Sequence, residues 1–374
     1  MEKIAYIDVD NLAYEGIKSG ATIGNIQILK GFKEKEIEPI IYKIYNEKDS
    51  NLDRNSTEVK KFLEIDNIPV ISKKFILDDI EEELKSKNYD FILYSIPSVF
   101  FEKKDCELMK ILYKYSKKLI LVMADNLYPN SKTIKDTETY NQYVEILRNS
   151  KVITLSKFLK NEVKKELNVE SDVIYPKMEI NYHPSSNMKS KKYVTFINPV
   201  EVKGIRLFER IVDKNPDIEF LIVRGWEETK NYTFDRKNVK ILDFQKDINK
   251  VWEITKILLV LSTWHEVYGR VVSEAIMNDC RVICNNIGGI PEAANGMAIL
   301  VETLKNYGTE TKQIFDEKEM EQKSNEISSL LRKELAKINE KELKEKSIKM
   351  VEYINKNNNY LYEYIKNIKK EMEE

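Results

Sequence analysis

The strongest constraint on the fold is an alternation of short apolar runs with amphipathic stretches, which occupies the first half of the chain. Runs that are apolar throughout are typical of strands buried on both faces of a parallel sheet. Amphipathic helices between such strands are typical of βαβ crossovers. The predicted strands are Lys3–Asp10, Glu38–Tyr45, Phe91–Ser95, Leu119–Ala124 and Val152–Leu155, and the predicted helices include Asn25–Lys35, Lys103–Lys117 and Lys157–Leu167.

A polar segment interrupts this rhythm after Tyr175-Pro176, and a second alternating series follows it. The segment Asn181–Met188 holds a proline among small and polar residues, a composition typical of a linker. The second series predicts strands at Tyr193–Asn198, Phe220–Val223, Val239–Asp243, Ile257–Leu261, Arg281–Cys284 and Ala298–Val301.

Two α/β domains, both Rossmann-like, are therefore predicted. Residues 1–175 form the first domain, 176–190 the linker and 191–349 the second domain. After Lys305 the chain is rich in Lys and Glu with helical periodicity, which predicts solvated helices that pack by one apolar stripe. The last stretch, 350–374, is predicted to be a helix that packs back on the first domain.

Length and charge narrow the functional classes. The chain has 374 residues, which fits two domains of about 100–200 residues each. Its 61 basic and 62 acidic residues nearly cancel, so the composition does not favour a nucleic-acid partner. No window reaches the roughly 18 apolar residues that span a membrane, and no signal peptide is evident. We expect a cytoplasmic protein, and contact with the inner face of a membrane stays open.

The segment Leu258–Cys284 carries the clearest chemical pattern. A buried strand ends at Ser262, a short loop follows, and Gly269 opens a helical pattern over Arg270–Asn278. A strand, a loop and a helix N-terminus in this order favour an anion, because free backbone N–H groups and the helix dipole point at the same place. Glycine at the helix start lets the backbone approach a ligand closely.

Two glutamates flank this helix start. Glu266 lies in the loop, and Glu274 lies inside the helix. Both are expected near the carboxyl end of the sheet, where ligands bind in open α/β folds. A carboxylate there accepts hydrogen bonds from the hydroxyls of a ribose or a sugar. The competing interpretation is that Glu274 only favours the helix dipole and Glu266 is only a loop charge.

The segment Ser262–Ala293 resembles the signature of the large retaining GT-B glycosyltransferase family known as group 1 or family 4. It holds Glu266 and Glu274 separated by seven residues, a Gly-Arg pair at Gly269-Arg270, and a Gly-Gly-x-x-Glu loop at Gly288–Glu292.

Two further segments support the same resemblance. Phe196–Gly204 is similar to the family's strand that ends before a Lys-Gly pair, and Val152–Phe158 is similar to its strand-Ser-helix segment. The resemblance covers about residues 150–302. It implies a GT-B fold with the two domains facing a central cleft and the C-terminal helices returning toward the first domain.

The resemblance also implies roles for the matching residues. Glu266 and Lys203 are the catalytic candidates: Glu266 contacts the donor sugar and Lys203 pairs with the diphosphate. Glu274 holds the ribose. The other donor-side candidates are Val267, Tyr268, Gly269, Arg270, His265, Gly288, Gly289, Gly20 and Gly24. Alternatives stay open, with a loop or surface role for Arg270 and a simple tight turn at the Gly288-Gly289 pair.

The first domain departs from the family pattern. Gly20–Asn25 is similar to the family's Gly-rich loop and is expected to precede a helix. The family usually has a histidine at a later strand end, but the comparable ends here hold Ser95, Asp125 and Asn126. These three are the acceptor-side candidates, with capping or turn roles as the alternative. His183 is expected to be a solvated linker residue.

No metal or other cofactor is predicted, because His265 has no companion at a ligand-type spacing and no Asp-x-Asp motif stands in a suitable loop. Asp8-Val9-Asp10 matches that motif in letters only, at the end of a strand. The implied donor is a nucleoside-diphosphate sugar, most simply a UDP- or GDP-sugar.

The implied function is transfer of a sugar from that donor to an acceptor hydroxyl with retention at the anomeric carbon, in bacterial glycan or glycoconjugate synthesis. The acceptor is an unknown glycan, lipid-linked molecule or protein. Two alternatives stay open: a non-catalytic GT-B-like partner subunit, and a sugar phosphorylase or epimerase on the same fold.

Overall fold

The chain forms two compact units. The first comprises Met1–Lys177 together with Asn357–Glu374, and the second comprises Met178–Lys356. The computed structural model describes residues 4–9, 20–35, 40–45, 63–65, 68–74, 76–87, 89–96, 103–124, 137–180, 188–225, 227–308 and 313–374. Residues 181–187 of the predicted linker, which include His183, lie outside these ranges.

Across the described ranges, the sheet of the first unit has eight strands. They are β1 (Ile4–Val9), β2 (Ile40–Tyr45), β3 (Leu63–Ile65), β4 (Ile68–Lys74), β5 (Tyr89–Ile96), β6 (Ser116–Met123), β7 (Lys151–Thr154) and β8 (Asp172–Val173). Their order is β3-β4-β2-β1-β5-β6-β7-β8, and β3 pairs antiparallel to β4 while the other neighbours are parallel.

The β3–β4 hairpin is absent from the sequence prediction. Its longer strand contains Pro69, which lacks a backbone N–H and is typical of loops or edge strands. Strand β6 also begins earlier than predicted, at Ser116, so the preceding helix ends at Lys114 instead of Lys117. Charged residues at the start of β6 obscured its first residues, because only the later part of that strand is buried.

Helices accompany this sheet in the alternation that the sequence predicted. They are α1 (Gly20–Glu34), α2 (Leu77–Lys87), α3 (Lys103–Lys114), α4 (Thr137–Asn149) and α5 (Lys157–Leu167). The Ser156 hydroxyl caps α5 by accepting a hydrogen bond from the N–H of Leu159 at 3.1 Å, so that helix begins where predicted.

The start of α1 corrects one prediction. Gly20–Asn25 was expected to be a loop before the helix, but the helix begins at Gly20 and includes Gly24 and Asn25. Two glycines lower helix propensity, and this local penalty favours a loop. Burial of Ile26, Ile28 and other apolar residues of α1 in the core of the unit outweighs it.

The second unit contains a fully parallel sheet within the described part of the chain. Its strands are β9 (Tyr193–Ile197), β10 (Phe220–Val223), β11 (Val239–Leu242), β12 (Thr255–Val260), β13 (Arg281–Asn285) and β14 (Ile299–Val301). Their order is β11-β10-β9-β12-β13-β14. The order reverses between β9 and β12, and such a switch point is where open α/β sheets bind ligands.

The helices of this part of the chain are α6 (Ile205–Lys214), α7 (Asn249–Trp252), α8 (Arg270–Met277), α9 (Ile290–Ala294), α10 (Glu317–Lys337) and α11 (Glu340–Asn358). Phe208 of α6 packs on Phe196 and Phe220 with ring centroids 4.6 and 5.6 Å apart. The charged helix α10 buries one stripe, including Met320 and Ile327, against the same core, as predicted.

The C-terminal helix, α12 (Tyr360–Glu373), is part of the first unit. Tyr362 donates a hydrogen bond to the carbonyl oxygen of Ile28 at 2.9 Å, and its ring meets Phe32 edge-on. Gly31 makes this approach feasible, because a Cβ atom there would lie 1.6 Å from the Tyr362 hydroxyl. None of the helices in the described ranges is long and apolar enough to cross a membrane.

Candidate functional site

Lys203 and Glu266 are brought together by neighbouring strands. Lys203 ends a 3₁₀ turn, Glu201–Lys203, that follows β9, and Glu266 lies in the loop after β12. Strands β9 and β12 are adjacent and parallel, so their carboxyl ends meet at one edge of the sheet. The N–H of Thr263 donates to the carbonyl of Val202 at 3.0 Å and ties the turn to the loop.

The two side chains form a direct ion pair in which the Lys203 ammonium donates to Oε1 of Glu266. The Ser262 hydroxyl donates to the same oxygen at 2.7 Å. The side chains of Lys203 and Glu266 are only 17% and 15% exposed. Lys203 Nζ also lies 5.3 Å from the ring centroid of Trp264, within cation–π range. The pair is thus largely shielded from water but still reachable from solvent.

Opposing effects act on the pKa of Glu266. Burial raises the pKa of this carboxyl, whereas the charge of Lys203 and the hydrogen bonds from Lys203 and Ser262 lower it. The lowering prevails, and the pKa lies below its ordinary value. Glu266 is therefore ionised at neutral pH and can accept hydrogen bonds from sugar hydroxyls.

The Gly288-Gly289 pair supports the backbone of the Glu266 loop. The N–H of Gly289 donates to the carbonyl of Glu266 at 2.7 Å. A Cβ atom at Gly288 would lie 2.4 Å from Glu266 O, and one at Gly289 would lie 2.2 Å from Val267 O. Gly288 also has a positive φ of 59°. These contacts favour a packing role for both glycines, alongside the close approach to a donor that the sequence predicted.

Helix α8 begins directly after this loop. Gly269 precedes it with φ of 95°, in the left-handed region that favours glycine. Among the residues that the structure describes, the backbone N–H groups of Val267 and Gly269 donate no hydrogen bond. These donors lie at the positive end of the helix dipole, an arrangement that suits an anion.

Glu274 and Arg270 face each other one turn apart on α8. Arg270 Nε lies 3.6 Å from Glu274 Oε1, and the two side chains are 11% and 20% exposed. Burial raises the pKa of Glu274, and the charge of Arg270 only partly offsets this. The low exposure of Arg270 rules out the surface role that the sequence left open.

Two further donor-side candidates in this loop, Tyr268 and His265, differ in burial. Tyr268 is buried, and burial raises the pKa of its phenol above the ordinary value. His265 is partly buried beside Glu266. Within the described residues, no group of three or more His, Cys, Asp or Glu side chains could hold a metal ion.

The first unit buries Ser95, one of its three acceptor-side candidates, in a polar cluster. Ser95 is fully buried at the end of β5 and donates to Oδ1 of Asn25 at 3.5 Å. Asn25 in turn donates to Oδ1 of Asp8 at 3.2 Å, and Asp8 is also fully buried. Asp125 and Asn126 lie outside the described residues.

Sequence reasoning missed three polar residues beside the Lys203–Glu266 pair: Ser262, Asn285 and Thr303. Asn285 Nδ2 donates to Ser262 O and to Thr303 Oγ1, both at 3.0 Å. Each residue ends or follows a buried strand of the second series, so a search for polar residues at the carboxyl ends of neighbouring strands would have found them.

Comparisons with known proteins bear on the second unit and on the fold of the chain. Residues 189–350 match the family model described as glycosyl transferases group 1. A search of curated proteins finds no match. The solved structure of Anabaena Alr3699/HepE in complex with UDP-glucose is 15% identical, with 98% of this chain and 100% of that chain covered and a TM-score of 0.69.

Two further solved structures are similar over the same length. A glycosyltransferase from Rickettsia africae is 18% identical, covering 98% of this chain and 99% of that chain with a TM-score of 0.66. Sucrose-phosphate synthase from Thermosynechococcus elongatus is 14% identical, covering 98% and 100% with a TM-score of 0.68. At these identities the likeness concerns the fold, and the predicted GT-B fold with two Rossmann-like domains is confirmed.

Proposed function

We propose that this chain is a retaining glycosyltransferase that moves a sugar from a nucleoside-diphosphate donor to an acceptor hydroxyl. The Lys203–Glu266 pair carries this proposal: a cation and a carboxylate, both partly accessible, at the switch point of a parallel sheet. It lies within the segment that matches the group 1 glycosyltransferase model.

Each charged group has a role in this proposal. Lys203 turns from Glu266 toward the donor diphosphate and offsets the charge that develops on the leaving group. Glu266 accepts hydrogen bonds from the sugar hydroxyls, and Glu274 accepts those of the ribose. The N-terminus of α8, with the free N–H groups of Val267 and Gly269, adds partial positive charge beside the phosphates.

The reaction replaces one bond at the anomeric carbon by another on the same face of the sugar. The bond from that carbon to the β-phosphate oxygen breaks, and a bond to the acceptor oxygen forms. The acceptor proton passes to the departing phosphate oxygen. A protein base is then dispensable, which fits a first unit without the family's usual histidine.

A UDP- or GDP-sugar is the proposed donor, and turnover is proposed to be independent of metal. The HepE structures contain UDP, UDP with glucose, and UDP-glucose, which makes uridine the first base to test. Lys203, Arg270 and the start of α8 supply the positive charge for the leaving group. Turnover is expected to persist in EDTA.

The test is release of free nucleotide from a panel of UDP-glucose, UDP-galactose, UDP-N-acetylglucosamine and GDP-mannose. Lys203→Ala and Glu274→Ala are expected to lower kcat/KM by about 10- to 100-fold, the value of one or two hydrogen bonds to a charged group. Lys192→Ala is the matched control, because Lys192 pairs with Glu219 at 3.0 Å on the exposed surface of the same unit.

Other outcomes would favour the alternatives. Activity in both variants equal to wild type would show that the donor site is assigned wrongly. Wild type that binds none of these donors by calorimetry would favour a non-catalytic partner subunit. Turnover that requires inorganic phosphate would identify a phosphorylase, and interconversion of nucleotide sugars without nucleotide release would identify an epimerase.

A further inference from the structure

A polar chain lies behind the Lys203–Glu266 pair and runs along the carboxyl edge of the second sheet. Its members are Ser262 after β12, Asn285 at the end of β13, and Thr303 after β14. Strands β9, β12, β13 and β14 are consecutive neighbours in the sheet. Three adjacent strands, β12, β13 and β14, therefore contribute to one continuous arrangement that ends at Glu266, and β9 precedes its partner Lys203.

The hydrogen bonds of this chain converge on Ser262. Asn285 Nδ2 donates to Ser262 O at 3.0 Å, and Thr303 Oγ1 approaches the same carbonyl at 3.4 Å. The Ser262 hydroxyl then donates to Oε1 of Glu266 at 2.7 Å. Asn285 and Ser262 are each only 1% exposed, so water does not replace these partners.

Burial makes this arrangement stiff. Turning the Asn285 amide would leave the buried Ser262 carbonyl with a weaker set of donors, which is costly in the protein interior. With its carbonyl fixed, Ser262 has its hydroxyl directed at Glu266. Ser262 and Lys203 donate to the same carboxylate oxygen, so Glu266 keeps a second donor available when Lys203 turns toward a ligand.

We propose that Asn285 is a positioning residue that acts through Ser262 to hold the Glu266 carboxylate in the orientation that the donor sugar requires. The role of Glu266 toward the sugar rests on the proposed function. The hydrogen-bonded chain from Asn285 to Glu266 does not, and it can be tested separately in the ligand-free protein.

The main test variant is Asn285→Asp, which keeps the side-chain shape and removes the Nδ2 donor. Asn215→Asp is a closely matched control. Asn215 is fully buried in the same unit, and its Nδ2 donates to one carbonyl, Ile211 O, and one hydroxyl, Ser328 Oγ, at 2.7 and 2.9 Å. It has no hydrogen bond to the candidate site. Ser262→Ala interrupts the hydrogen-bonded chain of side chains with less risk to folding, and Ser262→Thr keeps the hydroxyl.

With the donor that wild type cleaves, Asn285→Asp and Ser262→Ala are expected to lower kcat by about 10- to 100-fold, with a smaller effect on KM. The acid limb of the pH profile of kcat should move to higher pH in both, because Ser262→Ala removes the hydroxyl that lowers the pKa of Glu266 and Asn285→Asp releases that hydroxyl from its position. Ser262→Thr should restore both. Asn215→Asp should lower the melting temperature without moving the pH profile.

Two results distinguish failure of the positioning role from failure of the proposed function. Active wild type with unchanged pH profiles in Asn285→Asp and Ser262→Ala would overturn the positioning role alone. Inactive wild type that binds neither UDP nor GDP would overturn the proposed function. In that case the hydrogen-bonded chain from Asn285 to Glu266 is tested by carbon-13 titration of the Glu266 carboxyl. The signal of this carboxyl is identified by its loss in Glu266→Gln. A shift to higher pH in Asn285→Asp that disappears in the Ser262→Ala background would support the inference. No shift, or a shift of equal size in that background caused by the new carboxylate alone, would overturn it.

Discussion

The two units share a parallel α/β architecture but treat the carboxyl ends of their central strands in opposite ways. In the second unit, the ends of β9 and β12 hold a charged pair whose side chains are 17% and 15% exposed. In the first unit, Asp8 of β1 and Ser95 of β5 are paired in register, and both are fully buried beneath Asn25.

This difference teaches that accessibility, and not the fold, separates a candidate site from a structural cluster. A carboxylate such as Glu266 that is ionised, paired and partly exposed can exchange its partner for a ligand. Asp8 is fully buried and cannot do so without displacing the residues that cover it.

The largest effect is expected from Gly288→Ala. The new Cβ atom would lie 2.4 Å from Glu266 O and 2.7 Å from Glu266 N, in a backbone conformation that disfavours alanine. The Glu266 loop must move, so we expect a loss of about 2–4 kcal/mol in unfolding free energy and about 100-fold in nucleotide-sugar turnover. Urea denaturation and the nucleotide-release assay measure the two effects.

Gly296→Ala is the control for Gly288→Ala. Gly296 has a similar φ of 71°, but no atom lies within 4 Å of the added Cβ. It should therefore cost only about 1–2 kcal/mol of backbone strain and leave turnover unchanged. Equal loss of turnover in both variants would contradict the support that Gly288 gives to the Glu266 loop.

The second unit also shows which site residues could be predicted from the sequence and which could not. Glu266, Glu274 and Gly269 lie within one short segment, so their places in a loop, a helix and the helix start were predictable from the order of the apolar runs. Asn285 and Thr303 act through partners 23 and 41 residues away, on other strands, and the strand order was not readable from the sequence.

Local signals also failed where packing outweighed them. The glycines at the start of α1 predicted a loop, and Pro69 concealed β4. Periodicity identified the buried strands β10 and β12 well, because their runs are apolar almost throughout. It gave no indication that Ser95 would be sealed in the core, since a serine at a strand end is equally compatible with a site.

The second-largest effect is expected from Lys203→Met, which breaks the Lys203–Glu266 pair. Glu266 would stay buried without its cation, and we expect a loss of about 1–3 kcal/mol in unfolding free energy at neutral pH. In wild type the pKa of Glu266 lies below its ordinary value of 4.5, so the pair stabilises the fold above that pH and loses this effect as the pH falls.

In Lys203→Met the lowering effect of the Lys203 charge and hydrogen bond is lost, so the pKa of Glu266 moves upward from its wild-type value. The variant therefore loses less stability than wild type as the pH falls. The difference in unfolding free energy between wild type and variant should shrink steadily through weakly acidic pH. A difference that stays constant with pH would contradict the assignment of the lost stability to the pair.

A smaller effect is expected from Asn25→Ala in the first unit. Asp8 loses one buried hydrogen-bond donor, at a cost of about 1–2 kcal/mol in unfolding free energy. Because this cluster is sealed, the affinity for nucleoside diphosphate by calorimetry should equal that of wild type. Weaker binding would instead bring the first turns of α1 into the donor site, as the resemblance of Gly20–Asn25 implied.

The smallest effect concerns the C-terminal helix, which follows the second unit in sequence but packs in the first. Tyr362→Phe removes the hydrogen bond to Ile28 O and should cost about 1 kcal/mol. Amide hydrogen exchange in α1 should then be about fivefold faster, while exchange in α6 stays unchanged. Tyr364→Phe, which loses a more exposed bond to Asp172, is the control and should change less. Equal acceleration of amide exchange in α1 and α6 would mean that the two units unfold together. The two units would then differ at their strand ends but would not be independent in stability.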